Sequence, residues 1–265
     1  IKYTDRPYRR TWREFDQEVN RVAKGFMAHG VGRGDKIAIW ASNVPEWLVT
    51  LFASAKIGAV LVTVNTAYKI FELEYLLKQS DSKILVMIDK YKDSDYIDIV
   101  RQLCKGLGKP GEKLNPMLPY LEEIVYAGAG EAPEGMTPFR QLELDGASIS
   151  EEEFRAVSDH LDPNDVVNMQ YTSGTTGFPK GVMLTHYNVV NNGKSIGDRM
   201  KFTENDKLCV VVPFFHCFGL VLAVMACLTH STSMVPVDVY SPLKVMDAIM
   251  GEGCTAFHGV PTMYI

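Results

Sequence analysis

The segment from Tyr171 to Gly181, YTSGTTGFPKG, holds the residues whose types and spacing are best suited to chemistry. Its glycines let the backbone approach a ligand closely, and consecutive backbone N–H groups in such a segment form a concavity that binds anions. The hydroxyl side chains add hydrogen-bond donors, and a single lysine adds a positive charge. The sequence therefore predicts a phosphate-binding loop made of Thr172, Ser173, Gly174, Thr175, Thr176, Gly177, Phe178, Pro179 and Lys180.

The spacing in this predicted phosphate loop differs from that of a Walker A motif, which requires Gly, four residues and then Gly-Lys-Ser/Thr. Here Gly174 and Gly177 are three residues apart, and Lys180 lies between Pro179 and Gly181. The alternative interpretation is a polar surface turn in which Lys180 is a solvated charge. The density of glycine and hydroxyl residues favours the loop, with Lys180 contacting the β- and γ-phosphates of a nucleotide.

The elements that must position this loop are an apolar strand over residues 165–171 and a helix that begins after Thr185. Strand and helix patterns alternate along most of the chain, and several strands are apolar on both faces. This alternation is typical of parallel βαβ units with helices on both sides of a sheet. The predicted fold class is therefore α/β, with two doubly wound βαβ subdomains.

The division between the subdomains is predicted where this alternation weakens, from about Lys105 to Ala147. Many Pro and Gly residues interrupt the stretch, and only Glu123–Tyr126 has the pattern of a strand. We therefore expect a first subdomain with a connecting segment over residues 1–158, and a second over residues 159–265 that carries the phosphate loop. A helix in the second subdomain is expected to begin at Pro242, with Ser241 as its N-cap.

Residues 208–237 contain no Lys, Arg, Asp or Glu, so a membrane span has to be considered. A spanning helix needs about 20 apolar residues. However, Pro213, His216 and Gly219 interrupt the run, and Pro213 would break a helix. The alternative is a strand, a loop, a buried helix and a second strand inside an α/β core. We expect this second arrangement and no integral membrane segment.

The composition narrows the classes of function. The net charge of −5 argues against a nucleic-acid partner, because such binding needs a basic surface to displace counterions. The five cysteines include no C-x-x-C pair, and no His/Cys set has the spacing of a zinc site. We therefore predict no metal-ligating residues in this chain and a reducing, cytoplasmic location.

The phosphate loop and its continuation, YTSGTTGFPKGVMLTH, closely resemble the signature of the adenylate-forming (AMP-binding) superfamily. That superfamily includes acyl-CoA synthetases, luciferases and peptide-synthetase adenylation domains. Residues 213–220, PFFHCFGL, are similar to its Pro-x-x-His-x-x-Gly motif, and residues 258–263, HGVPTM, to the segment beside its acyl site. Residues 186–192, HYNVVNN, are particularly similar to medium-chain fatty acyl-CoA synthetases. The resemblance covers most of the chain and is weakest over residues 105–158.

This resemblance implies an enzyme that uses ATP to activate a carboxylic acid, here a fatty acid, as an acyl-adenylate. Coenzyme A would then take the acyl group, and Mg²⁺ would accompany the ATP. Lys180 and His216 are the implied catalytic residues, and His216 and Gly259 the implied borders of the acyl pocket. The alternatives are a core position for His216, which lies among aromatic residues, and a turn at a strand end for Gly259.

Several family motifs are absent from the chain. These are the Tyr-Gly-x-Thr-Glu motif whose Glu assists Mg²⁺, the Asp that holds the ribose, and the catalytic lysine of the small C-terminal domain. In family order all three follow Ile265. We therefore expect an N-terminal part of the protein, with an incomplete large domain that is inactive alone. Two alternatives stay open: a ligase that passes the acyl group to a carrier protein, and a catalytically silent nucleotide-binding module.

Overall fold

The computed structural model describes residues 7–172 and 179–264 and has a mixed α/β architecture, which confirms the predicted fold class. The helices are α1 (Trp12–Ala28), α2 (Pro45–Lys56), α3 (Ile70–Ser80), α4 (Tyr96–Leu103), α5 (Phe139–Asp145), α6 (Glu151–Ser158), α7 (His186–Met200), α8 (Ala226–Thr229) and α9 (Pro242–Glu252). A π-helix spans Phe218–Met225, and 3-10 helices span Gly146–Ser148 and Pro261–Met263. The strands are β1 (Lys36–Trp40), β2 (Val60–Thr63), β3 (Ser82–Met87), β4 (Lys90–Tyr91), β5 (Ser94–Asp95), β6 (Glu123–Tyr126), β7 (Thr137–Pro138), β8 (Val166–Thr172), β9 (Lys180–Thr185), β10 (Lys207–Val210), β11 (Ser233–Pro236) and β12 (Ala256–His258).

The described residues form two compact units. The first unit comprises residues 10–41 and 46–184, and the second comprises residues 7–9, Ser42–Pro45 and residues 185–264. The sheet of the first unit has the strand order β7-β6-β3-β1-β2-β8-β9. From β1 the chain adds β2 on one side and β3 on the other, in parallel. This is the doubly wound pattern that the sequence predicts.

The strands at the centre of this sheet are apolar runs because both of their faces are buried. In β1, the side chains from Ile37 to Trp40 have no exposed surface. Helix α1 begins with a capping box: Glu14 N donates to Thr11 Oγ1 at 3.2 Å, and Thr11 N donates to Glu14 Oε2 at 2.8 Å. These reciprocal bonds satisfy donors that the first turn of a helix leaves open.

The second unit is built on three parallel strands in the order β11-β10-β12. The π-helix and α8 connect β10 to β11, so the charge-free run forms the strand, loop, buried helix and strand that the sequence predicts. Among the described residues, no helix has both the length and the apolar character needed to cross a membrane. Ser241 precedes α9 as expected, but its side chain makes no capping hydrogen bond.

The two units divide after Leu184, whereas the sequence predicts a division after residue 158. The reason is the pairing of β8, which the prediction assigns to the second subdomain. Its residues Asn168 and Met169 align with Leu61 and Val62 of β2, in the first unit's sheet. The Asn168 side chain also donates to the Leu61 carbonyl at 3.0 Å in a buried position. The predicted phosphate loop therefore follows a strand of the first unit.

The stretch with weak alternation contains more regular structure than the sequence indicates. The predicted strand β6 is present and pairs with β3 in parallel. Beyond it, the short strand β7 joins β6, and α5 packs against α1. Gly25 permits this helix contact, because a Cβ at residue 25 would lie 2.1 Å from the Leu142 carbonyl oxygen.

Candidate functional site

The predicted phosphate loop is described at its two ends. Residues Ser173, Gly174, Thr175, Thr176, Gly177 and Phe178 lie outside the described residues, and their phosphate contacts remain predictions. Thr172 is exposed at the end of β8, and Lys180 is exposed at the start of β9. The structure therefore fixes where the segment leaves the sheet and where it returns.

The strands β8 and β9 are hydrogen-bonded neighbours joined by the seven residues 173–179. So short a connection fits a hairpin, because a parallel crossover needs about a dozen residues. Since β8 is parallel to β2, its end lies with the carboxyl ends of the parallel strands. Ligands of open α/β sheets bind at this edge. Lys180 is exposed at this edge, so its ammonium is accessible to a ligand from solvent.

Two contacts that sequence reasoning missed hold the returning limb of this hairpin. The Tyr75 hydroxyl of α3 donates to the Pro179 carbonyl at 3.2 Å. Gly181 lies close to β8, because a Cβ at residue 181 would be 3.0 Å from the Met169 sulfur and 3.3 Å from the Tyr171 ring. Burial raises the pKa of Tyr171 above its ordinary value. The residues on both sides of Lys180 are thus held in place.

His216 is exposed in the second unit, so its ring does not belong to the core. Its Nδ1 accepts from Phe218 N at 3.1 Å, and its carbonyl accepts from Gly219 N at 2.9 Å and Leu220 N at 3.0 Å. The residue therefore caps the start of the π-helix. A neutral ring that accepts at Nδ1 carries its proton on Nε2, which can then act as a donor.

The glycine of the Pro-x-x-His-x-x-Gly motif has a steric explanation. A Cβ at residue 219 would lie 2.2 Å from the Pro213 carbonyl oxygen. No real Cβ approaches that closely, so any other residue would force the π-helix away from the turn that precedes it. The spacing of the motif thus follows from the tight return of the chain around His216.

Asn43 holds this turn from a distant part of the sequence. Its side-chain amide donates to the carbonyls of Val212 at 3.0 Å and Val237 at 3.2 Å, and its Oδ1 accepts from Phe214 N at 2.9 Å. The side chain is buried, with 3% of the residue exposed. Sequence reasoning missed Asn43, since it lies about 170 residues before the turn it contacts and belongs to no motif that was identified.

The structure brings His216 and Gly259 to the same end of one sheet. β10 and β12 are adjacent and parallel, and Gly259 directly follows β12. The Phe218 ring lies 5.8 Å from the ring of His258, the neighbour of Gly259. A Cβ at residue 259 would lie 3.1 Å from the rings of Phe257 and Tyr264, so this position is closely packed.

His258 is a further polar group at this end of the sheet. Burial lowers its pKa, so the imidazole is neutral at pH 7. Its Nε2 lies 2.9 Å from the Met200 sulfur, and its Nδ1 is buried without a hydrogen-bond partner among the described residues. No group of three or more potential His, Cys, Asp or Glu metal ligands occurs in the described ranges.

The β8–β9 connection lies at the carboxyl edge of an open α/β sheet, where proteins of this class bind their ligands. The profile of the AMP-binding enzyme family matches residues 1–265, and the chain belongs to that family. YngI of Bacillus subtilis (strain 168), which carries the name acyl-CoA synthetase, is 48% identical over 267 residues; the match covers 100% of this chain and 48% of YngI. The mitochondrial medium-chain acyl-CoA ligase ACSF2 of Danio rerio is 36% identical, with 97% of this chain and 43% of that protein covered.

The structure of ATP-bound MatB from Rhodopseudomonas palustris superposes with a TM-score of 0.73 at 28% identity, covering 96% of this chain and 44% of MatB. A long-chain-fatty-acid-CoA ligase from Archaeoglobus fulgidus shares the fold with a TM-score of 0.78 at 23% identity, covering 98% of this chain and 46% of that protein. The chain therefore spans about half the length of the relatives it matches.

Proposed function

We propose that this chain is part of an ATP-dependent ligase that joins a carboxylic acid to coenzyme A through an acyl-adenylate. The observation that carries the proposal is membership of the AMP-binding family together with the exposed Lys180 at the root of the β8–β9 hairpin. Relatives named as acyl-CoA synthetases and ligases support the choice of coenzyme A as acceptor. The ATP-bound MatB structure supports ATP as the nucleotide.

In the first half-reaction, a carboxylate oxygen of the acid attacks the α-phosphorus of ATP. The bond to pyrophosphate breaks, and the acyl-adenylate forms. Because the departing pyrophosphate carries several negative charges, donors already aimed at it lower the barrier. We assign this task to Lys180 and to the backbone N–H and hydroxyl groups of residues 172–178. Mg²⁺ is proposed as the counter-ion that ATP brings with its phosphate oxygens.

In the second half-reaction, the sulfur of coenzyme A attacks the acyl carbon. AMP leaves with the electron pair of the broken bond, and the thiol loses its proton. We propose that His216 and Gly259 border the acyl chain in both halves. Their position after adjacent strands of one sheet supports this role. The medium-chain relatives point to a fatty acid as the substrate.

The proposal is tested with the complete protein by acid-dependent exchange of labelled pyrophosphate into ATP. A panel of aliphatic acids of increasing length, with aromatic acids beside them, should reveal a preferred fatty acid. Thioester formation is then measured with free coenzyme A and, separately, with a carrier protein. Absence of exchange with every acid would favour a catalytically silent nucleotide-binding module. If pyrophosphate exchange occurs but the acyl group is transferred only to the carrier protein, the carrier protein and not coenzyme A is the acceptor.

We also infer a cytoplasmic location. All five cysteines are free thiols, which suits a reducing compartment. Some relatives are mitochondrial, however. Fractionation of the native cell with an antibody against the protein distinguishes the two locations, and an organelle-bound signal would overturn the inference.

A further inference from the structure

We propose that Asn43 is a positioning residue for the acid-binding side of the site, where it sets the turn that carries His216. The inference rests on the proposed function, because it assumes that the His216 turn borders the acid. Asn43 itself touches no reacting group in this scheme. It acts through the backbone of residues 212–216 and, through them, on the imidazole.

The first step is the completeness of the Asn43 contacts. A neutral amide offers two N–H donors and a carbonyl acceptor. The two donor bonds reach Val212 O and Val237 O, and the acceptor bond comes from Phe214 N. All three partners are backbone groups in the same unit as Asn43. A buried side chain whose two donors and acceptor oxygen are all hydrogen-bonded holds its partners in one arrangement.

The second step is the identity of those partners. Val212 follows β10 and Val237 follows β11, so Asn43 ties the carboxyl ends of two neighbouring strands. The third partner, Phe214, lies inside the motif turn. His216 N then donates to the Pro213 carbonyl at 3.2 Å, and the His216 ring caps the next helix. A shift at Asn43 is therefore transmitted within four residues to the imidazole.

The third step is chemical. Aspartate has almost the same shape as asparagine, but an ionised carboxylate has no N–H donor. Asn43→Asp would keep an oxygen for Phe214 N and would place the other oxygen against two carbonyl oxygens. Both donor bonds would be lost, and the ends of β10 and β11 would be pushed apart from the turn. The substitution thus perturbs the arrangement without changing the volume of the side chain.

Asn115 supplies a matched control in the first unit. It is also buried, with 9% exposed, and its side chain joins two backbone groups. Its amide donates to Leu103 O at 2.9 Å, and its Oδ1 accepts from Met117 N at 2.8 Å. Asn115→Asp therefore removes the same kind of bond from a segment with no predicted site residue. The Asn115→Asp variant therefore shows how a loss of stability alone affects the kinetics of pyrophosphate exchange.

The experiment uses the complete protein with Asn43→Asp, Asn115→Asp and His216→Ala, each assayed well below its own Tm. Pyrophosphate exchange is measured with aliphatic acids of graded length. We expect Asn43→Asp to lower kcat/KM for the preferred acid about 10-fold or more, since two buried hydrogen bonds are lost. The loss should differ between acids and follow the pattern of His216→Ala, while the KM for ATP changes less than about twofold. Asn115→Asp should lower Tm and leave the acid profile unchanged.

Three outcomes would overturn the inference: an acid profile for Asn43→Asp equal to that of the wild type, the same profile change in Asn115→Asp, or no effect of His216→Ala on acid selection. If the wild type shows no acid-dependent pyrophosphate exchange with any acid, the proposed function itself is wrong. If Asn43→Asp does not fold, Asn43→Ser takes its place, because its smaller side chain leaves room for a water to reach the carbonyls. The same change in profile is expected, and an unchanged profile counts against the inference.

Discussion

The neighbours of Lys180 along the chain are held in place. Lys180 begins β9; the Tyr75 hydroxyl donates to the carbonyl of Pro179 before it, and Gly181 after it packs closely against β8. We expect Lys180→Ala in the complete protein to slow adenylation by about 100-fold, the usual effect of removing one preorganised donor. Because the proposed contact of Lys180 with pyrophosphate would strengthen as that group departs, the KM for ATP should change less than kcat. Rapid-quench measurement of acyl-adenylate formation checks both values.

The second half-reaction is the control for Lys180. Supplied acyl-adenylate reacts with coenzyme A without any departure of pyrophosphate, so Lys180→Ala should leave thioester formation largely intact. An equal fall in both half-reactions would show that Lys180 supports the fold and not the triphosphate.

A substitution of Gly259 tests the proposal that this residue borders the acyl chain. A Cβ there already meets the Phe257 and Tyr264 rings at 3.1 Å, so a larger side chain must displace a ring or extend along the surface. We expect Gly259→Leu to shift the preferred aliphatic acid to a shorter chain and to spare ATP binding. Competition between acids of two lengths measures the shift. An unchanged preference would remove Gly259 from the acid site.

At the scale of elements, glycines set the distance between α7 and the helices it contacts. A Cβ at residue 193 would lie 2.4 Å from the Met225 Cβ, where the π-helix meets α8. Gly193→Ala should therefore destabilise the fold by about 1–3 kcal/mol through overpacking, although alanine favours an isolated helix. The control is Gly32→Ala, since no atom lies within 4 Å of the added Cβ there. Thermal unfolding should show a lower Tm only for Gly193→Ala.

His29 joins three elements of the first unit through its two ring nitrogens. Nδ1 lies 2.9 Å from Glu123 in β6, and Nε2 lies 2.9 Å from Asp145 in α5. Burial disfavours the imidazolium, but the hydrogen bonds and charges of both carboxylates outweigh it and raise the pKa of His29. The hydrogen bond from His29 in turn lowers the pKa of Asp145.

The sign of the resulting pH dependence follows from linkage. A raised pKa for His29 stabilises the fold fully below its unfolded pKa of about 6.5, and the contribution is lost as pH rises through the folded value. The lowered pKa of Asp145 adds stability above about pH 4 that is lost in stronger acid. His29→Gln should therefore lower Tm by a few degrees near pH 5.5 and by less at pH 9. A constant difference in Tm across this range would contradict the ionic link.

The sequence predicted those helices and strands whose hydrophobic or capping pattern lies within the element itself. The apolar run of β6 was predicted with the bounds the structure shows, and the Pro-initiated helix α9 begins at the predicted Pro242. Strand β9 was missed, because Val182 and Met183 are both exposed and give no alternation. The contacts of Asn43 join residues 169 to 194 positions apart, and no local pattern encodes such a pairing.

At the scale of the whole molecule, the predicted site residues are divided between the two units of the chain. Lys180 and the β8–β9 connection belong to the first unit, and His216 and Gly259 belong to the second. The relatives are roughly twice as long, and this chain covers 48% of YngI and 43% of ACSF2. The family resemblance implies that both half-reactions need a ribose-binding Asp, a Glu that assists Mg²⁺ and a catalytic lysine, and the motifs that carry them do not occur in these 265 residues.

We therefore expect residues 1–265, produced alone, to yield no acyl-CoA from ATP, a fatty acid and coenzyme A. By the family resemblance, those three groups would orient the acid and the α-phosphate, and without them the positioning that accelerates the attack is lost. Chromatographic detection of the thioester measures the outcome, and the complete protein serves as the positive control. A Lys180→Ala form of residues 1–265 controls for contaminating host enzyme, since only activity of the chain itself would respond to that substitution. Steady acyl-CoA production that disappears with Lys180→Ala would show that these 265 residues hold the whole catalytic apparatus.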